Sequence, residues 1–263
     1  MRYAHAVVAV CGLLALLRAG TPAAAENASA AAQANNPLAT VSSLNLQNYY
    51  IGELTESDEH ANQFILRYAR PLTLGESNWL MRASLPINSY PIRANGDHHT
   101  GLGDADVFAA YLFDTGNPAV SFGIGPQIVA PTASQDELGS EQWQAGIANV
   151  YFNAESAVFQ YGYLLIYRAG VGPTSGRERV SLAALQPFAF LQLGEGWYTG
   201  TAPLWNYNFK SDDYGVPLGL RLGKVSKRDG VVYNTFIEPQ YSVADEGPGQ
   251  PEWQVFAGLN MQF

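Results

Sequence analysis

The sequence predicts an all-β fold: a single-chain antiparallel transmembrane β-barrel of about twelve strands, preceded by a cleaved signal peptide. Three observations predict it. Segments of about ten residues alternate apolar with small or polar side chains. Short and long connections alternate between these segments, and the last segment is amphipathic and ends on Phe263. Charged residues make up only 14% of the chain, against roughly a quarter in soluble domains, which suits a protein that faces lipid.

Residues 1–25 have the pattern of a secretory signal. Arg2 supplies a positive charge, residues 6–17 are apolar and residues 23–25 are alanines that suit cleavage. A stretch of this length is too short to cross a bilayer, which takes about 20 residues, so a retained anchor helix is the weaker alternative. The single cysteine, Cys11, lies in this segment. The mature chain is therefore expected to lack disulfides and Cys-ligated metals.

The mature chain is acidic. Removing Arg2 and Arg18 from the 14 basic residues leaves 12, against 23 acidic residues. An acidic chain without a basic run argues against nucleic acid as a partner.

Residues 26–43 are rich in Ala, Asn, Gln and Ser, which predicts a flexible periplasmic arm before the barrel of residues 44–263. A plug inside the lumen is the alternative, because some barrels of this class are plugged. Alternation and turn residues place the strands at 44–50, 61–70, 78–87, 103–113, 118–130, 142–153, 158–168, 181–192, 197–207, 215–224, 231–241 and 251–263.

The connections between these strands test the barrel independently. Outer-membrane barrels have short periplasmic turns and longer outer loops, alternating along the chain. With both termini in the periplasm, every turn except 71–77 is shorter than every outer loop, of which 88–102 is the longest. A soluble sandwich has no reason to follow that rule.

Charge decides which side chains face the lumen. An Arg or Lys that faces lipid at mid-bilayer costs about 2–4 kcal/mol. In strand 215–224 this turns Arg221 inward and leaves the alternating leucines outside. For strands 142–153 and 197–207, the residue pattern does not show which side chains face the lumen and which face lipid. The charged lumen-facing candidates are Arg67, Arg82, Asp104, Asp106, Arg168, Arg221 and Glu238, beside the aromatic residues Phe188, Phe190, Phe236 and Phe256.

Residues that could carry chemistry are few. Carboxylates and imidazoles at Asp97, His98, His99, Asp104 and Asp106 could bind a divalent ion, but their spacing matches no metal motif, so a solvated loop is favoured. No His is placed in sequence beside a Ser or an acid in a way that specifies a nucleophile or a general base. We therefore expect no cofactor, no metal and no enzymatic activity. An active site assembled in three dimensions is the less favoured alternative.

The final segment, 253–263, carries the most specific signal. Trp253, Val255, Ala257, Leu259, Met261 and Phe263 share one face. An amphipathic last strand with a terminal aromatic resembles the signal by which bacterial outer-membrane proteins are recognised for assembly. The alternative is an ordinary edge strand of a soluble β-domain, but an exposed edge this apolar would be prone to aggregation.

Several short stretches resemble a family of bacterial outer-membrane transporters assigned to the MetA pathway of phenol degradation, whose members are sometimes mislabelled neuromedin U. In order, they are NQFILRY at 62–68, RASLP at 82–86, GLGD at 101–104, QPF at 186–188, GWY at 196–198, PLW at 203–205, PLG at 217–219, GK at 223–224 and EPQY at 238–241. They span roughly 44–263. The resemblance implies a barrel that passes hydrophobic or aromatic solutes.

The resulting expectation is a channel or transporter for small, hydrophobic or aromatic molecules in the cell outer membrane. Its partners would be outer-membrane lipid, the outer-membrane assembly machinery and a small-molecule solute. A structural or adhesive barrel with a blocked lumen is the alternative, because a lumen of twelve strands lies between filled and open barrels.

Overall fold

The computed structural model describes residues 33–57, 59–92, 97–174 and 176–263. The predicted signal peptide at 1–25 and the first part of the predicted arm, 26–32, lie outside the described residues. Within the described residues, no helix is long and apolar enough to cross a membrane.

Fifteen strand segments make up most of the described chain. They are β1 (Ser43–Leu54), β2 (Ala61–Leu74), β3 (Ser77–Pro91), β4 (His98–Leu102), β5 (Ala105–Leu112), β6 (Val120–Ala130), β7 (Trp143–Asn153), β8 (Phe159–Val171), β9 (Ser181–Gly194), β10 (Trp197–Thr201), β11 (Trp205–Asn208), β12 (Tyr214–Gly219), β13 (Arg221–Arg228), β14 (Val231–Glu246) and β15 (Pro251–Gln262).

These segments form one closed antiparallel barrel of twelve strands. Three barrel strands are interrupted, so that β4 continues into β5, β10 into β11 and β12 into β13, each pair running along the same neighbour. The first and last strands close the sheet, with Ser43 opposite Gln262 and Leu44 opposite Met261. The prediction of an all-β barrel of about twelve strands is confirmed. Closure leaves no unpaired edge.

Tight turns join the strands at the end that carries both termini of the barrel. Glu195 and Gly196 have φ angles of 52° and 79°, and Asp229 and Gly230 have 51° and 83°. Two-residue turns with positive φ at both positions match the twist of the flanking strands. The predicted turn 71–77 is wrong in its bounds, because β2 runs to Leu74 and β3 begins at Ser77. With that correction, the first turn is short like the others.

The outer face of the barrel is apolar. Leu218, Leu220, Leu222, Ile237 and Tyr241 are among its most exposed large side chains, and Leu220 is 68% exposed. Polar groups are buried on the opposite face of the same strands. A sheet with a continuous apolar outer face that buries polar and charged side chains, beside apolar ones, on its inner face is typical of a barrel that spans a membrane.

Residues 33–42 lie inside the barrel at the end that carries the termini. Leu38 is only 2% exposed and packs in the same core as Ala110 and Phe152. Asn36 donates from Nδ2 to Oγ of Ser121 at 3.0 Å, and the side chain of Asn234 donates to the carbonyl oxygen of Ala34 at 3.3 Å. These contacts hold residues 34–38 of the predicted 26–43 arm against side chains of the barrel interior.

The barrel lumen as candidate functional site

A buried ion pair lies in the lumen, between neighbouring strands β13 and β14. Arg221 donates from Nε to Oε2 of Glu238 at 2.7 Å, and the two side chains are 6% and 0% exposed. Glu238 also accepts from the backbone N–H of Ala202 and from Nε2 of Gln240. Strand β10 ends at Thr201, and β11 begins only at Trp205. Ala202 lies in this break, so its backbone N–H has no partner in the sheet and donates to Glu238 instead. The carboxylate is thus held by several donors.

Aromatic rings surround the Arg221 side chain. Its guanidinium carbon lies 3.9 Å from the ring centre of Phe236, 5.2 Å from that of Phe256 and 5.5 Å from that of Phe190. Tyr49 stacks on Phe256 at 4.1 Å. A cation over ring faces is stabilised by the negative charge of the π-system, and more so when both are desolvated. The rings therefore hold the guanidinium in place as well as filling space.

The other predicted lumen arginines also lie inside, but without a carboxylate at ion-pair distance among the described residues. Arg67 donates from Nη1 to Gln47 at 2.6 Å. Arg82 places its guanidinium 4.3 Å from the ring centre of Phe108, and Phe108 is buried. Within the described part of the chain, the Nε atoms of Arg67, Arg82 and Arg168 are buried and have no hydrogen-bond partner, as has one Nη atom of Arg221.

A cavity of about 110 Å³ lies between the arginines and the N-terminal segment. Ligand pockets commonly have volumes of roughly 300–1,000 Å³, so this one is small, because residues 33–42 occupy part of the lumen. Its charged lining residues are Arg67, Arg82 and Arg221, and no described carboxylate lines it. Its apolar lining includes Leu80, Leu164, Phe188, Phe190, Phe236 and Phe256.

Asp104 lies at the outer end of the lumen and holds a loop. It follows the break between β4 and β5, and its carboxylate accepts from the backbone N–H of Ser140 at 2.7 Å, the Ser140 hydroxyl at 2.7 Å and the backbone N–H of Ala133 at 3.3 Å. The same loop, 131–142, brings Leu138 to 4% exposure, with its carbonyl oxygen accepting from Asn88 at 3.1 Å. Asp104 therefore anchors a loop that folds over the mouth. Asp106 instead accepts from Gln127 at 3.1 Å.

The histidines of the predicted acidic and imidazole cluster are separated. His99 forms a hydrogen bond from Nδ1 to Glu137 at 2.9 Å, and this bond holds the pKa of the Glu137 carboxyl below its usual range. His98 lies against His60, with ring centres 4.5 Å apart, and with Glu59 these groups offer ligand atoms within 4.8 Å of one another. The loop before β2 and the first residue of β4 make this set, so the spacing of residues along the chain could not predict it.

Two strands that sequence alone could not orient contribute much of the lumen. In β7, Gln144, Ala148, Val150 and Phe152 are buried. In β10, Tyr198 is fully buried and donates from its hydroxyl to Oδ1 of Asn234 at 2.8 Å. Both strands carry apolar side chains on each face, so period-two alternation of polarity gave no signal. In strand 215–224, Arg221, which was predicted to face inward, is buried, and the alternating leucines are exposed.

The comparisons with known proteins find the fold and no family. No family model and no curated protein matches the chain. A crystal structure of an outer membrane channel from Pseudomonas putida F1 superposes with a TM-score of 0.60, at 13% identity, over 85% of this chain and 94% of that one. The KdgM porin gives a TM-score of 0.49 at 9% identity, over 84% of this chain and 99% of that chain. The likeness to the channel shows that this chain shares its barrel fold.

Proposed function

We propose that this protein is a channel of the cell outer membrane for small molecules. The observation that carries the proposal is a closed twelve-stranded barrel with a lipid-compatible exterior and a lumen that holds charged groups and a cavity. Buried arginines and carboxylates are costly to place inside a protein without a use. The protein of Pseudomonas putida F1 that shares the fold is itself an outer membrane channel, which supports the same role here.

The proposed solutes are small hydrophobic or aromatic molecules. Phenyl rings line the cavity beside the guanidinium groups, and such a lining suits a solute with an apolar body. The resemblance to transporters assigned to the MetA pathway of phenol degradation points the same way. Passage of a solute larger than the present cavity requires residues 33–42 to move.

The proposed partners of the protein follow from its place in the outer membrane. Outer-membrane lipid surrounds the apolar belt, and the outer-membrane assembly machinery recognises the last strand through Phe263, which is 58% exposed at the end of β15. The protein acts without a cofactor and is not an enzyme. The fold-level neighbour is a channel rather than an enzyme, which is consistent with this.

A structural barrel with a blocked lumen is the second candidate. It is favoured by residues 33–42, which bury Ala34 and Leu38 in the barrel interior, and by the loop 131–142, which Asp104 anchors at the other end.

Planar-bilayer recording of the purified protein separates the two candidates. The channel proposal expects single-channel steps in the bilayer and solute flux into liposomes. A protein that inserts as a folded barrel yet gives neither steps nor flux would sink the channel and leave the structural barrel.

A further inference from the structure

We propose that the lumen cavity is a binding site for an aromatic carboxylate, held by Arg67, Arg82 and Arg221. This inference rests on the proposed function and names the class of solute that the channel takes. The proposed function describes the solute only as hydrophobic or aromatic. The present proposal adds that the solute carries a negative charge and names the residues that bind this charge.

The lining of the cavity has an excess of positive charge. The chain as a whole is acidic, with 23 acidic and 14 basic residues, yet three arginines and no described carboxylate line this cavity. The lumen carboxylates have other partners. Glu238 pairs with Arg221 at 2.7 Å and so neutralises one of the three arginines, and Asp106 accepts from Gln127. The excess charge therefore comes from Arg67 and Arg82, which have no carboxylate at ion-pair distance among the described residues. The cavity is therefore a cationic region enclosed in an acidic protein.

Several N–H groups of the arginines that line the cavity have no hydrogen-bond partner among the described residues. Nε of Arg67, Nε of Arg82 and an Nη of Arg221 are buried, with no hydrogen-bond partner among the described residues. A buried donor without a partner costs about 1–3 kcal/mol, and more for a charged group. Most buried polar groups in proteins are paired, so several unpaired donors at one cavity call for an explanation. These atoms belong to arginines that line the cavity, and a carboxylate accepts several guanidinium N–H groups at once.

The cavity also has an apolar lining, and part of it lies against the Arg221 guanidinium. Phe188, Phe190, Phe236 and Phe256 line the same cavity, together with Leu80 and Leu164. A ring or short chain attached to the carboxylate would be desolvated against these side chains, and a bare inorganic anion would leave them unused. The site therefore offers contacts to both the charge and the apolar body of one anion, beside the amide side chains of Asn45, Gln47 and Asn234 that also line it.

Isothermal titration calorimetry of the folded barrel in a non-ionic detergent tests the site, with benzoate as the probe. Benzamide has the same ring without the charge, and acetate has the charge without the ring. We expect benzoate to bind about tenfold or more tightly than either, because only benzoate uses both the charged donors and the apolar wall. Equal affinity for benzoate and benzamide, equal affinity for benzoate and acetate, or no binding of benzoate would overturn the proposal.

Variants locate the site. Arg82→Gln and Arg67→Gln are each expected to weaken benzoate binding about tenfold, since each removes a charged donor. Arg228→Gln is the matched control, because Arg228 is 84% exposed at a turn away from the lumen. Retention of the heat-modifiable electrophoretic mobility of a closed barrel shows that each variant folds. Unchanged benzoate affinity in both folded lumen variants contradicts the proposal, whatever the wild type binds.

Flux into liposomes distinguishes this proposal from the channel itself. Benzoate binding without solute flux would contradict the channel proposal and support the binding site. Flux without preference for benzoate over benzamide would contradict the binding site and support the channel.

Discussion

Arg221 and Glu238 form an ion pair of 2.7 Å that is almost completely shielded from solvent, 6% and 0% exposed. The two residues lie on neighbouring strands, β13 and β14, and the carboxylate also takes the N–H that the break beside Pro203 releases. The pair thus joins three consecutive strands of the barrel at one point in the lumen. Its stability follows from the number of partners as much as from the two charges.

Removing one member of this pair is expected to destabilise the barrel strongly. Glu238→Gln leaves the buried guanidinium of Arg221 without a counter-charge, at a cost of about 3–5 kcal/mol in the free energy of unfolding. Urea unfolding in lipid vesicles measures it. Asp229→Asn is the control, because the Arg228–Asp229 pair is 84% and 88% exposed and such pairs contribute little. Equal effects of the two substitutions would contradict the importance of burial.

Deleting residues 33–41 is expected to increase single-channel conductance. The segment fills part of the lumen with buried groups such as Leu38, and ion flow scales with the open cross-section. We expect a rise of roughly twofold or more, measured in planar bilayers. Since closure runs from Ser43 opposite Gln262, the barrel itself should still form, which heat-modifiable mobility checks. Unchanged conductance in a folded deletion variant would mean that the segment does not limit the path.

Asp104→Asn is expected to loosen the loop over the outer mouth. The carboxylate accepts two hydrogen bonds from Ser140 and one from Ala133, and hydrogen bonds to a charged group contribute about 1.5–3 kcal/mol each. Hydrogen exchange at the Ser140 amide should accelerate by about tenfold or more. Asp136→Asn changes an exposed carboxylate in the same loop and should leave that exchange rate as it is. If both variants exchange alike, Asp104 is not the anchor.

The His99–Glu137 contact is expected to weaken in acid. The hydrogen bond from His99 lowers the pKa of Glu137, so its contribution is fully present above the ordinary glutamate pKa and is lost as pH falls through the lowered value. The protection of the loop amides near Glu137, corrected for the intrinsic exchange rate at each pH, should therefore fall below about pH 4. His99→Gln should raise the pKa of Glu137, as read from the chemical shift of its labelled carboxyl carbon. A titration unchanged by His99→Gln would show that another group lowers this pKa.

A charge on the outer face is expected to report the depth of the membrane. Ile237 is 52% exposed on β14, and Leu74 is 61% exposed at the last residue of β2. Ile237→Arg should cost about 2–4 kcal/mol in lipid, while Leu74→Arg near the turn should cost about 0–1 kcal/mol. Urea unfolding in vesicles gives both values. Equal costs would place the two positions at the same depth and contradict the assigned orientation.

The twelve strands, and the two faces of a strand such as 215–224, could be predicted from the sequence because they depend on local alternation. In β13, Arg221 between Leu220 and Leu222 leaves one arrangement that avoids a charge in lipid. Where a strand is apolar on both faces, as around Val150 and Tyr198, alternation carries no information. Those faces depend on neighbours across the barrel, and Tyr198 points inward to reach Asn234.

The sequence by itself determined the β-barrel and the order and number of its strands, and it predicted that Arg67, Arg82, Arg221 and Glu238 face inward. Period-two patterning and the cost of charge in lipid act within a single strand, so both can be applied to the sequence alone. Only the tertiary structure decided which of these charges pair, that Asp104 holds a loop, and that residues 33–42 enter the lumen. These outcomes depend on distances between segments far apart in the chain, and closure of the barrel sets those distances.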